Sequence, residues 1–195
     1  MIEPGLFERD LPSGFRYQPD FLTAAEEAEL VEHIGTTEFS AFTMRGVVAR
    51  RRVAFFGRSY DAAGVAVRPI PPFLLQFRNR AATWAHIDAD AFVMALINEY
   101  QPGAPIGWHR DAPQYDIVAG ISLLSVCRMK FRPYARGRAG AGSRSVRRAT
   151  HEAVLEPRSL YLLAGEARNA YEHHIPAVTT LRYSITFRTA RRNQP

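Results

Sequence analysis

Between residues 181 and 188 the chain reads LRYSITFR, with every second position apolar. On the strand this pattern predicts, Leu181, Tyr183, Ile185 and Phe187 share one face, and Arg182, Ser184, Thr186 and Arg188 share the other. Such a polar face belongs either to an edge strand that is wet on one side or to a strand lining a cavity. Comparable short segments follow one another from residue 92 onward, separated by turns: AFVMALINEY, IVAGISLLSV, RMKFRPY, HEAVLE and SLYLLAG. The N-terminal part has a helical period instead. In TAAEEAELVEHIG, Leu30, Val31 and Ile34 fall on one side, Thr23 and Glu26 have the spacing of a capping box, and Gly35 is a stop signal. Residues 39–60, FSAFTMRGVVARRRVAFFGRSY, read as two strands with an exposed arginine-bearing connection, and the turn RPIPP leads into a helical stretch near residues 72–86. Helices followed by a run of strands predict an α+β, mainly β fold: helices flanking a β-sandwich or barrel.

No repeat or linker divides the 195 residues, so a single domain over 1–195 is expected, with its β core in 92–190. A hydrophobic content of 47% and a charged content of 23% suit a soluble globular chain, and no apolar run is long enough to span a bilayer. The opening MIEPGLFERDLP lacks the apolar block of a secretory leader. Cys127 is the only cysteine, which excludes an internal disulfide and points to a reducing, cytoplasmic setting. A monomer is the default expectation. The formal charge of +6 suggests an acidic partner, with nucleic acid the leading candidate. Its strongest local expression is RPYARGRAGAGSRSVRRAT, residues 132–150, which holds six arginines and no acid. That segment is either a solvated insertion or an arm that tracks phosphates.

Candidate chemistry lies in GWHRDAP, residues 107–113, directly after the turn QPGAP. On a strand, His109 and Asp111 would converge while Arg110 turns away. A surface ion pair is the plain alternative. In YEHHIP, His173 and His174 are adjacent, so only one can face inward, and INEY places Asn98 and Tyr100 on a common face. Two imidazoles and one carboxylate form the facial donor set of non-haem Fe(II) sites, which leaves three metal positions open. A zinc hydrolase could use the same donors, but Arg182, Ser184 and Arg188 would then lack a task. Two inward arginines could instead grip a small dianion.

Taken in order, NEYQPGAPIGWHRDAP, GISLLS, SLYLLAGEARNAYEHHIP and RYSITFR resemble the AlkB family of Fe(II)- and 2-oxoglutarate-dependent dioxygenases. The resemblance implies a double-stranded β-helix, or jelly roll, with flanking N-terminal helices and lid-like strands within 1–91. It implies Fe(II) held by His109, Asp111 and His173, with His174 standing where many relatives have glycine. It further implies that Arg182 and Ser184 receive the remote carboxylate of 2-oxoglutarate, that Arg188 is a second arginine on this cosubstrate, and that Asn98 and Tyr100 hydrogen-bond beside it. The implied reaction consumes O2 and 2-oxoglutarate, demethylates N-alkylated bases in DNA or RNA, and releases formaldehyde, succinate and CO2. Residues 39–60 then match a nucleotide-recognition lid in which Arg45, Arg51, Phe56 and Tyr60 contact the substrate, unless the hairpin simply packs its aromatics into the core. Methylated DNA or RNA would bind through this lid and the basic loop 132–150. Two other readings use the same residues: a hydroxylase or demethylase of protein or small-molecule substrates, and a catalytically silent nucleic-acid-binding module. The intact set of ligands and arginines argues against the latter.

Overall fold

In the computed structural model, which describes residues 11–44, 47–58, 68–134 and 150–191, the strands form two antiparallel sheets. The larger sheet contains, in spatial order, β1 (Phe15–Gln18), β9 (Leu160–Leu163), β6 (Tyr115–Leu123), β11 (Arg182–Ala190), β4 (Phe92–Tyr100), β3 (Val47–Gly57) and β2 (Ser40–Met44). The smaller contains β5 (Ile106–His109), β10 (Tyr171–Ile175), β7 (Cys127–Pro133) and β8 (His151–Leu155). Two facing antiparallel sheets that exchange strands in this order make a jelly roll.

Helices close the outer face of the large sheet. Helix α1 (Ala24–Gly35) begins at the predicted capping box: the Thr23 hydroxyl accepts from the Glu26 N–H at 3.2 Å, and the Glu26 carboxylate accepts from the Thr23 N–H at 2.8 Å. Helix α2 (Pro72–Ala85) starts on a proline, whose missing N–H would have had no intrahelical partner. Leu30 and Ile34 of α1 and Leu74, Phe77 and Ala81 of α2 pack on Ala95, Ile97, Ala119, Ile121, Ile185 and Phe187 of the sheet. A second core fills the space between the sheets, where Val118, Tyr161 and Leu163 meet Met129, Phe131, Leu155 and Ile175. Strands β4, β6 and β11 are covered on both faces, which explains their nearly continuous burial.

This arrangement decides the meaning of LRYSITFR. Strand β11 lies between β6 and β4 at the centre of the sheet, so its polar side is an inner wall and not a wet edge. Arg182, Ser184, Thr186 and Arg188 are all buried between the sheets. Some short elements have no counterpart in the sequence reading. Strand β1 pairs with β9, and a short helix α3 (Gly165–Asn169) precedes β10. Among the described residues no helix is long and apolar enough to cross a membrane.

Candidate active site

The histidines of GWHRDAP and YEHHIP meet where β5 pairs with β10. His109 and His173 are direct cross-strand partners, with ring centroids 4.2 Å apart. A bulge makes this possible: Gly107 and Trp108 together oppose His174, so Ile106 and His109 both face the interior. Trp108 turns outward against His174, and His174 Nδ1 lies 2.6 Å from the Ile106 carbonyl. His173 is therefore the inward member of the adjacent pair. Asp111 departs from the strand alternation expected of it. Strand β5 ends at His109, and Pro113, which has no N–H for a ladder, opens the turn toward β6. The Asp111 carboxylate nevertheless returns to the same cavity, with Oδ2 3.7 Å from His173 Nε2.

Arg188 takes the other carboxylate oxygen, donating to Oδ1 from Nη2 at 2.9 Å and from Nε at 3.3 Å, while its Nη1 donates to Thr186 at 2.9 Å. The three candidate donors line one cavity without closing on a common point, and the carboxylate is held by Arg188 from β11. Burial, reinforced by His109, pushes the His173 imidazole down from 6.5 to about 3. Burial likewise lowers His109, against the opposing pull of Asp111. For Asp111 burial acts upward but is overcome by Arg188 and the neighbouring His173, His109 and Arg168, so the carboxyl is held well below its usual range. At neutral pH the cavity thus presents two neutral imidazoles and one carboxylate. His109 donates Nδ1–H to the Gly107 carbonyl at 2.9 Å, which leaves Nε2 with a free lone pair.

Six residues along β11 from Arg188, Arg182 is completely buried. Its Nη2 donates to Ser122 Oγ at 3.0 Å and its Cζ stands 4.9 Å from the Tyr100 ring centroid, while Nε and Nη1 have no partner. A buried guanidinium with two unpaired donors matches an anion carrying several acceptor oxygens. Asn98 and Tyr100 face Ser184 and Arg182 across the ladder, and Asn98 Nδ2 donates to Ser184 Oγ at 3.3 Å.

The family model of the 2OG-Fe(II) oxygenase superfamily matches residues 14–188. The chain belongs to this superfamily. Its members are oxidoreductases that use Fe(II), 2-oxoglutarate and O2. The chain is 27% identical over 187 residues to the alkylated DNA repair protein ALKBH8 homolog of Arabidopsis thaliana, covering 87% of this chain and 52% of that protein. It thus spans about half the length of that relative. It is 25% identical over 172 residues to the probable RNA/DNA demethylase ALKBH6 of Danio rerio, covering 87% and 72%. Both relatives are AlkB-type proteins, as the sequence motifs suggested. The structure of OsALKBH1 superposes with a TM-score of 0.66 at 13% identity, covering 92% of this chain and 99% of that one. A Pseudomonas putida prolyl-4-hydroxylase gives 0.61 at 14% identity, covering 92% and 94%. These two likenesses show the shared jelly-roll fold.

The residues present fit the oxygenase cofactors. Two neutral imidazoles and an ionised carboxylate are a donor set for Fe(II), and the orphaned donors of Arg182 suit one carboxylate of 2-oxoglutarate. His109, Asp111 and His173 would hold the metal. Arg182, with Ser122 and Tyr100 beside it, would hold the remote end of the diacid.

The lid residues divide by strand parity. Arg51 faces the cavity, with Nε 3.3 Å from Asn98 Oδ1 and Cζ 4.3 Å from the Phe42 ring centroid. Burial lowers its pKa, with Tyr100 and Asp111 acting the other way. Phe56 sits on the opposite face, 4% exposed in the core beneath the helices, so it corrects the expectation of a base contact. Arg52 points the same way as Phe56 and pairs with Glu99 at 2.8 and 2.9 Å. Arg45, Tyr60 and residues 135–149 of the basic loop lie outside the described residues. Arg132, at the start of that loop, is on β7, paired with Glu172 at 2.7 Å and 4.4 Å from the Trp108 ring centroid.

Two further site residues went unread in the sequence. Tyr161 of β9 lines the cavity, and burial raises its phenol well above the ordinary value. Gly120 is its cross-strand partner, and a Cβ there would collide with the Tyr161 ring. The alternation within SLYLLAG holds the signal, since it sets Tyr161 and Leu163 on one face. Arg168 braces the loop after Asp111, its Nη2 donating to the Ala112 and Tyr115 carbonyls at 2.7 and 2.8 Å. Those partners are backbone atoms more than fifty positions away, so no local pattern announces them.

Proposed function

We propose that this chain oxidatively removes N-alkyl groups from bases of DNA or RNA. One observation supports its oxygenase chemistry above all: the histidines and carboxylate line a cavity with Ser184, and Arg182, two residues from Ser184 on β11, is buried with Nε and Nη1 unpaired. The nucleic-acid substrate is supported by the names of the AlkB-type relatives and by the +6 charge.

In each turnover one O2 and one 2-oxoglutarate would be consumed. One oxygen atom ends in succinate as CO2 leaves, and the other is inserted into a C–H bond of the alkyl group. The N-hydroxymethyl product then splits into formaldehyde and the restored N–H base. Bound Fe(II) supplies the activation of oxygen. The chain does the rest. Neutral His109 and His173 offer lone pairs without first losing a proton, and Asp111 contributes the balancing charge. Arg182 orients the diacid from its far end. Arg188 holds Asp111 in place and turns its donors away from solvent. Leu96, Val118, Met129 and Leu163 line the same space with hydrocarbon and exclude water.

The test is formaldehyde and succinate release from methylated oligonucleotides, single- and double-stranded, deoxy and ribo. The expected outcome is coupled release with at least one of them. Succinate formation that no oligonucleotide stimulates, but a methylated peptide or small molecule does, assigns the site to another substrate. Failure to consume 2-oxoglutarate with iron present leaves a silent binding module.

A further inference from the structure

The cavity carries one cation to which the chemistry above gives no task. Arg51 reaches in from β3, is 8% exposed, and lines the same space as His109, Asp111 and Arg188. Its one side-chain hydrogen bond among the described residues is the 3.3 Å contact to Asn98, and Phe42 covers one face of the guanidinium. Unlike Arg182, it has no nitrogen that is both sealed from solvent and unpaired. The guanidinium belongs to a residue that lines the cavity and is not sealed off from it.

The wall charges are unequal. Among the described residues Arg51 and Arg188 line the cavity as cations, whereas Asp111 is the only carboxylate that does so. Fe(II) and the 2-oxoglutarate dianion cancel one another, so the excess positive charge of the protein faces whatever substrate enters. Alkylated bases differ on this point. Methylation at N1 of adenine or N3 of cytosine makes the ring a cation, whereas methylation at N3 of thymine or N1 of guanine leaves it neutral with carbonyl oxygens beside the methyl group.

We propose that the site selects neutral, carbonyl-bearing alkylated bases over cationic ones, and that Arg51 is the specificity-determining residue, donating to a base carbonyl. This rests on the reading that the substrate is an alkylated base. Like charges in a partly dry cavity repel strongly enough for about tenfold discrimination or more. A guanidinium facing a carbonyl adds a charge-assisted hydrogen bond that favours the neutral rings, because 1-methyladenine has no carbonyl and that of 3-methylcytosine belongs to a cation.

The experiment titrates fluorescent single-stranded oligonucleotides into the full chain loaded with Mn(II) and 2-oxoglutarate, which permits binding without turnover. Each oligonucleotide carries one 3-methylthymine, 1-methylguanine, 1-methyladenine or 3-methylcytosine, with an unmodified control. Neutral lesions should bind about tenfold tighter than cationic ones, Arg51→Gln should erase most of that ratio, and Arg51→Lys should retain part of it. Calorimetry should show 2-oxoglutarate affinity little changed in Arg51→Gln. Equal or tighter binding of the cationic lesions overturns the inference and leaves the demethylase reading intact. A ratio unaffected by Arg51→Gln, or a collapse of 2-oxoglutarate affinity in that variant, removes Arg51 from the assignment. If no lesion binds better than the unmodified strand, the alkylated-base reading itself fails and the inference goes with it.

Discussion

A guanidinium at 0% exposure with two unpaired donors raises the free energy of the ligand-free chain. Arg182→Met replaces it with an apolar side chain of similar reach. Its ligand-free melting temperature should equal or exceed that of the parent. Its affinity for 2-oxoglutarate should fall by about a hundredfold, the loss of a buried charge-assisted pair. Melting curves with and without 2-oxoglutarate check both; a variant still stabilised by the diacid would contradict the role. The imidazoles predict a pH dependence. Because burial holds His173 near 3 and His109 below 6.5, the unfolded chain binds protons at pH values where the folded one does not. Stability of the metal-free protein should be fully present above about pH 6.5 and decline as pH falls toward 3, with Asp111 adding its own loss below its ordinary 3.8. Urea unfolding of the parent and of His173→Gln through this window should show a shallower decline in the variant. At this scale the sequence spoke clearly only where chemistry is local: His-x-Asp and Arg-x-Ser could be read directly, whereas Arg168 acts on distant carbonyls and could not.

At the level of elements, β6 and β9 fit together through an omission. Gly120 carries no side chain where the Tyr161 ring crosses it, and this close approach sets one wall of the cavity. Gly120→Ala should destabilise the fold by about 1–3 kcal/mol through overpacking. In a Tyr161→Ala background the same substitution should cost less, and a double-mutant cycle in urea measures the difference. Additive effects would show that the ring moves aside freely. Helix α1 was legible because its cap is built from residues three apart. Strand β1 was not, because the four residues FRYQ are too short to show a period and become a strand only when β9 offers an edge. Phe56 shows the same limit: alternation separates its face from that of Arg51, but not which face meets the helices.

For the whole molecule, the +6 charge implies a general attraction for polyanions on top of any contact in the cavity. Affinity for single-stranded oligonucleotides should fall steeply with KCl, roughly tenfold or more between about 50 and 200 mM if several phosphates are contacted. Salt-independent binding would remove the backbone from the interaction. The chain's sequence alone determined its strand and helix periods, the cap of α1, and the identities of the donor and arginine motifs, because each depends on neighbours a few bonds apart. Only the tertiary structure decided that β11 is a central strand with a buried polar face, that His173 and not His174 turns inward, that Arg51 enters the cavity while Phe56 joins the core, and that Arg182 keeps two donors unpaired. Those outcomes depend on which surfaces the two sheets and the helices cover, and burial is a property of the assembled layers rather than of any segment.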